Sequence, residues 1–382
     1  MEEKYLLEIC NPKQWKTIPK SQLLENGKFP VYGANGIIGR YNEYNHEKPT
    51  VLITCRGATC GNIHITVPNA YINGNAMALD NLNEIICKKE YLYYFLQYYD
   101  MSKIISGTAQ PQITITGLKK VKVKLYSINK QEEIVNELNK INKLIKLKKR
   151  QLEELQKFIK SQFVEMFGDV HLNDKKWGKF VKMNQICEIN PKKSEISNIR
   201  NMMVSFVPMQ SVTEDGKIYT EDKRNIDDVK SGFTYFREND VLFAKITPCM
   251  ENGKGAVAIN LENGIGFGST EFHVIRVSKY VNSIWIYAVT STKEFRKQAE
   301  INMTGSAGQK RVSTKYLENY KIAVPPLSLQ NQFSEIVKQI DKQKFESMIQ
   351  LDKGERTVLI NIVEYTFKEI MVLYEFLLKN YF

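Results

Sequence analysis

The chain has 382 residues, 43% of them hydrophobic and 25% charged, enough for more than one packed core. Its 20 Tyr, 18 Phe and 3 Trp exclude a disordered composition. Fifty-four Lys and Arg against 42 Asp and Glu leave a formal charge of +12, which favours a polyanionic partner, nucleic acid ahead of an anionic membrane. No apolar stretch approaches the roughly 18 to 20 residues a bilayer span needs, and Met1-Glu2-Glu3-Lys4-Tyr5 lacks the basic and apolar regions of a signal peptide. A cytoplasmic location is expected.

In chain order, the first region mixes short strands and turns. Glu8-Ile9-Cys10-Asn11-Pro12-Lys13 lies near the start, Gly33-Ala34-Asn35-Gly36 and Asn73-Gly74 are turn signals, and Val121-Lys122-Val123-Lys124-Leu125 alternates like a strand. Tyr91 to Tyr99 reads as a helix. From Gln131 to Phe167 the positions Ile134, Leu138, Ile141, Ile145, Lys148, Leu152, Leu155, Ile159, Gln162 and Met166 step alternately by four and three. That is a coiled-coil seam, apolar at Ile134, Leu138, Ile141, Ile145, Leu152, Leu155, Ile159 and Met166. A helix of that length spans about 55 Å, and Gly168-Asp169 ends it. Its charged exterior, with Lys146, Lys148, Lys149, Arg150, Lys157 and Lys160, reads first as a solvated face and second as a set of phosphate contacts.

The second region carries Glu188-Ile189-Asn190-Pro191-Lys192, the turns Glu214-Asp215-Gly216, Asn252-Gly253 and Asn263-Gly264, the strand Asp240-Val241-Leu242-Phe243-Ala244, and a helical stretch from Ser283 to Lys297. Phe333, Val337 and Ile340 then begin a second seam. Lys344, Ser347 and Gly354 interrupt it, and a glycine costs about 1 kcal/mol inside a helix. A break or register shift is expected near Asp352-Lys353-Gly354-Glu355, before apolar residues return from Val358 to the C-terminus. An exposed seam needs cover, so the two helices are expected to pair.

The chain repeats itself. The Glu-Ile-Cys-Asn-Pro-Lys element returns as Glu188-Ile189-Asn190-Pro191-Lys192. Gly107-Thr108-Ala109-Gln110-Pro111-Gln112-Ile113 returns loosely as Gly305-Ser306-Ala307-Gly308-Gln309-Lys310-Arg311-Val312. Leu118 precedes Gln131, and Leu317 precedes Gln330, by 13 residues each. Three matches in one order indicate duplication. The fold class is therefore α+β with an internal pseudo-two-fold repeat: mixed α/β regions at 1–129 and 169–328, each followed by a long helical region, 130–168 and 329–382.

Catalytic motifs are not in evidence. Asn11-Pro12-Lys13 and Asn190-Pro191-Lys192 lack the second proline and aromatic of an adenine methyltransferase motif, and Val324-Pro325-Pro326-Leu327 lacks its polar amide. Gly33, Gly36 and Gly39 match neither a dinucleotide fingerprint nor a P-loop. Glu221-Asp222-Lys223 with Asp215 is read as surface charge rather than a nuclease centre, and His46, His64, His171 and His273 stand far apart. Cys55, Cys60 and His64 lack the second ligand pair that zinc sites commonly have, so neither metal nor disulfide is expected of the six cysteines. What remains is binding chemistry. Arg56 and Thr59, Lys245 and Thr247, Asn252 and Lys254, and Gln309, Lys310 and Arg311 sit beside small or turn residues, as in loops that enter a DNA groove, where Arg pairs with guanine and Asn or Gln with adenine.

This arrangement resembles the specificity subunit of type I restriction-modification systems. The resemblance covers nearly the whole chain and is carried by Phe29-Pro30-Val31-Tyr32-Gly33-Ala34-Asn35-Gly36-Ile37-Ile38-Gly39, Leu242-Phe243-Ala244-Lys245-Ile246-Thr247-Pro248-Cys249, Gly305 to Val312, Val324-Pro325-Pro326-Leu327, and Ser161-Gln162-Phe163-Val164-Glu165-Met166-Phe167-Gly168. It implies two target recognition domains whose long helices pack as an antiparallel coiled coil, with no catalytic centre. Each domain would read one half of a bipartite double-stranded DNA site while the coiled coil fixes the gap. Two modification subunits carrying S-adenosylmethionine would methylate an adenine in each half, and restriction subunits would add ATP-driven translocation and cleavage. No cofactor is expected on this chain. A 55 Å helix corresponds to about 16 base pairs. The alternatives are a stand-alone duplicated DNA-binding regulator with a coiled-coil spacer, and a fragment of a fused restriction-modification enzyme with its own catalysis.

Overall fold

A computed structural model describes residues 2–34, 36–107, 110–306 and 308–363, with side chains to residue 347. The chain divides into two compact units whose boundaries fall inside two long helices, at Lys148/Lys149 and Met348/Ile349.

In the first unit an antiparallel four-stranded sheet runs in the order Asn11–Gln14, Ala76–Asp80, Val51–Thr54, Ile63–Ile65. A second sheet orders Gly36–Tyr41, Phe29–Gly33 and Tyr71–Ile72, the last pair parallel. Glu2–Tyr5 pairs with Lys122–Leu125 ahead of the long helix. The second unit repeats this plan. Its antiparallel sheet is Cys187–Ile189, Phe272–Val277, Val241–Ala244, Gly255–Val257. Its second sheet is Lys223–Asn225, Met203–Val207, Ile265–Gly268, again with the central pair parallel, plus an added edge strand Thr234–Arg237. Val181–Lys182 pairs with Lys321–Ile322. The two units thus share one sheet topology, although segment 8–13 enters a strand at Asn11 whereas segment 188–192 leaves one at Ile189.

The glutamine shared by the repeats has a structural reason. Gln131 is fully buried; its amide donates to the carbonyls of Ile86 (2.8 Å) and Tyr126 (2.9 Å), and its Oε1 accepts from the amide of Lys88 at 2.8 Å. Lys88 is the N-cap of helix Lys89–Tyr98. Gln330, equally buried, donates to the Pro325 carbonyl at 2.8 Å and accepts from the amide of Asn282, the N-cap of helix Ser283–Ser291, at 2.9 Å. Each glutamine ties the root of a long helix to an amide at the start of a shorter one, a donor that helix termini leave open.

The first long helix is Ile128–Phe167, beginning three residues before the position expected. It stops where Gly168 adopts φ +65° and its amide reaches Val164 O at 2.8 Å, a left-handed cap that glycine supplies without Cβ strain. Ile134, Val135 and Leu138 are buried in the core of the first unit, so this end of the seam packs on the domain itself. In the second unit Leu152, Leu155, Ile159, Gln162 and Met166 are half-buried, whereas Glu153, Glu154, Lys157, Phe158 and Lys160 are exposed. On the second helix, Leu327–Val363, Gln330, Phe333, Val337, Ile340, Lys344 and Ser347 are buried or half-buried. Phe333 meets Phe163 and Phe167 at ring distances of 5.6 and 5.4 Å, and Lys344 Nζ donates to Gln156 Oε1 at 2.9 Å. Numbering rises on one helix as it falls on the other, so the pairing is antiparallel.

Two sequence expectations differ from the structure. The second long helix runs through Gly354 without a break: the glycine penalty of about 1 kcal/mol is small against the hydrogen bonds of a long helix. Any register shift in side-chain packing there, and the apolar stretch after residue 363, lie outside the described residues. Ser283 to Lys297 is two helices, Ser283–Ser291 and Lys293–Ile301, because Thr292 leaves helical geometry (φ −63°, ψ 148°, extended) and its hydroxyl accepts from Phe295 N as a new N-cap.

Candidate nucleic-acid interface

In each unit, two loops meet at one end of the four-stranded sheet. In the second unit Lys245 follows strand Val241–Ala244 and opens the loop to Lys254. The amide of Val312 donates to Lys245 O at 2.9 Å, the amide of Lys245 to Glu271 O at 2.9 Å, and the amide of Thr247 to Lys310 O at 3.0 Å. In the first unit the amide of Ile113 donates to Cys55 O at 3.0 Å and that of Cys55 to Asn75 O at 3.0 Å. Isolated bridges complete the match, Ile246 with Arg311 and Arg56 with Gln112. Residues far apart in sequence, the Arg56 loop with the Gly107 segment and the Lys245 loop with the Gly305 segment, are therefore joined by the same backbone bonds in both units.

The sequence-nominated residues fall into two groups. Arg56, Asn252, Gln309 and Lys310 are exposed on these loops. Thr59, Thr247, Lys254, Lys245 and Arg311 are half-buried and hold other parts of the loops. Thr59 and Thr54 hydroxyls both donate to the Ala34 carbonyl, fastening the Phe29–Tyr41 hairpin tip to the Arg56 loop. Thr247 Oγ1 donates to Glu251 Oε1 at 2.7 Å, and Lys254 Nζ to Met209 O at 3.4 Å. Arg311 is paired with Glu271 at 2.8 Å; that hydrogen bond holds the Glu271 carboxyl below its usual range. Burial lowers the Lys245 ammonium, which costs less when a polyanion is at hand.

Sequence reasoning missed two residues that shape this surface from beneath. Arg296 is buried and meets no carboxylate among the described residues. It donates instead to the carbonyls of Thr290 (2.7 Å), Met250 (2.9 Å) and Gly253 (3.2 Å) and lies over the Phe243 ring at 4.5 Å; burial lowers its guanidinium to about 10. His273 Nε2 donates to Val312 O at 2.7 Å and its Nδ1 accepts from Asn190 Nδ2 at 3.0 Å. Burial pushes that imidazole down to about 4, so it is neutral at pH 7. The repeated Asn-Pro-Lys element was the available signal, since Asn190 is the residue that positions His273. Cys55 is fully buried and Cys60 and His64 half-buried; among the described residues no group of three His, Cys, Asp or Glu could hold a metal ion. Among the same residues no helix is long and apolar enough to cross a membrane.

Two copies of one mixed α/β plan, each leading into a long helix and presenting paired polar loops, define a duplicated α+β protein with no metal-binding cluster among the described residues. The chain belongs to the type I restriction modification DNA specificity domain family, whose model matches residues 1–157 and 174–353. It is 34% identical over 263 residues to the type I restriction enzyme EcoAI specificity subunit of Escherichia coli, a match covering 62% of this chain and 44% of that protein. It is 31% identical, over the same shares, to the EcoEI specificity subunit of the same organism. The match thus spans less than half the length of these two curated relatives. The crystal structure of the type I restriction-modification system S subunit from M. genitalium shares the fold, with a TM-score of 0.56 at 15% identity over 94% of this chain and 93% of that one.

Proposed function

We propose that the chain is the DNA sequence-specificity subunit of a type I restriction-modification complex, acting in the cytoplasm and performing no catalysis itself. The observation that carries this is the duplicated loop pair: the same backbone bonds at the same sheet end in two units of a family member, offering different polar side chains. Residues 1–129 and 169–328 are the two readers of a bipartite double-stranded DNA target. The exposed Arg56, Asn252, Gln309 and Lys310 and the part-exposed Arg311 contact DNA directly, and Lys245, Thr247, Lys254 and Thr59 complete and shape the contact surface. Two methyltransferase subunits, each with its own S-adenosylmethionine, dock on the chain and methylate adenine N6 in each half-site; restriction subunits join the same assembly. The antiparallel helices set the spacing between halves, and the net positive charge supplies sequence-independent phosphate affinity.

The test is a methylome. The chain is co-expressed with its methyltransferase subunit in a host lacking adenine methylation, and N6-methyladenine is mapped by sequencing. A split motif with a constant gap is the expected result. No methylation, with both proteins soluble and associated, would refute the proposal and favour a stand-alone regulator, which would bind its site tightly without partners.

A further inference from the structure

The paired loops of the two units share backbone hydrogen bonds but not the side chains that those bonds position. Cys55, Asn75 and Gln112 occupy the hydrogen-bonding places that Lys245, Glu271 and Arg311 hold in the second unit. Glu271 takes Arg311 Nε at 2.9 Å and Nη2 at 2.8 Å, and the Gln309 carbonyl takes Nη1 at 2.9 Å. A guanidinium has five N–H donors, so these bonds leave one on each of Nη1 and Nη2. Two such donors are what the O6 and N7 edge of guanine accepts. The Arg311 side chain is 40% exposed, so the remaining donors are within reach of a partner. The bidentate carboxylate also fixes the plane of the guanidinium before any partner arrives, which removes part of the ordering cost of binding. At the matching place in the first unit Gln112 is exposed. Its amide sets an N–H donor beside a carbonyl acceptor, the pair that adenine N7 and N6 take.

We infer that Arg311, braced by Glu271, reads a guanine in the half-site met by the second unit, and that Gln112 reads an adenine in the half-site met by the first. This rests on the reading of the chain as a two-part DNA reader. Arg311 and Gln112 touch bases; Glu271 is a positioning residue that acts through Arg311.

The test compares methylomes of the unaltered chain and the variants Arg311→Gln, Glu271→Gln and Gln112→Ala, each co-expressed with the methyltransferase subunit, with melting temperature and co-purification as checks on folding. Arg311→Gln is expected to weaken the preference for one guanine, in one half only, by about 5- to 150-fold. Gln112→Ala relaxes an adenine in the other half. Glu271→Gln lowers the preference for the same guanine as Arg311→Gln, while binding of the purified chain to unrelated DNA is retained or strengthened because a negative charge is gone. A carboxylate that only held the loop together would weaken both, which would remove Glu271 from the proposal. An unchanged motif in Arg311→Gln, or a change in both halves at once, overturns the inference. Should Arg311→Gln not fold, an unchanged guanine in Glu271→Gln overturns it equally. An unaltered chain that yields no split motif refutes instead the two-part reading beneath it.

Discussion

Replacing Gln330 with alanine isolates the device that roots the second long helix. The side chain is fully buried and joins two backbone groups, the Asn282 amide at 2.9 Å and the Pro325 carbonyl at 2.8 Å. Alanine leaves both without a partner beside the core built on Trp285 and Phe333. Each orphaned buried backbone group costs about 1–3 kcal/mol, and the vacated volume adds to this. The expected loss is about 3–5 kcal/mol. Urea unfolding followed by tryptophan fluorescence suits the measurement, since Trp285 lies three residues beyond Asn282 and is itself buried. The control is Gln332→Ala, an exposed position on the same helix, expected to shift stability by less than about 0.5 kcal/mol. Equal effects of the two substitutions would refute the assignment of Gln330 as a clamp. Gln330→Glu sharpens the test. Its Oε1 can still accept from Asn282, but an ionised second oxygen would face the Pro325 carbonyl, so this variant is expected to be more stable in acid than at neutral pH.

Other outcomes follow from the same structure. Phe333→Ala removes a fully buried ring between Phe163 and Phe167 and is expected to cost about 3–5 kcal/mol in chemical denaturation; a loss under about 1 kcal/mol would mean that the helices do not depend on this contact. The His273 imidazole is held down to about 4 in the folded chain against about 6.5 unfolded. The unfolded state therefore binds more protons between these values, and stability present above about pH 6.5 falls as pH drops toward 4, by about 3 kcal/mol in total. His273→Gln should flatten that part of a stability–pH curve, and an unchanged slope would exclude His273 as its source. Lys160→Ala, at an exposed helix position, is expected to weaken binding alike on all DNA and to reduce the salt slope by about one where it meets a phosphate. Lys310→Ala, on the loop, should alter preference in one half-site, as seen in binding to DNAs mutated half by half.

The long helices could be read directly because their signal is local: apolar residues spaced by three and four define one face whatever the rest of the chain does. The duplication was visible for a related reason, since Gln131 and Gln330 make equivalent bonds at the root of each long helix. Which way the helices pair needed coordinates, because a seam fixes the face that is covered but not the direction of its cover; the Phe333 and Lys344 contacts settle it. Gly354 shows the limit of propensity, since a cost of about 1 kcal/mol does not interrupt a helix of this length. Thr292 shows the opposite limit, where one hydroxyl accepting from Phe295 N restarts a helix inside an apolar stretch that looks continuous. The recognition surface lay furthest from local signals. Cys55 and Lys245 have no chemical likeness, and they are equivalent only because backbone amides from distant segments reach the same carbonyls. Arg296 likewise reads as an ordinary helix arginine until Met250 and Gly253 are brought over it by the folded sheet, since a buried guanidinium is held by whichever acceptors the tertiary structure delivers.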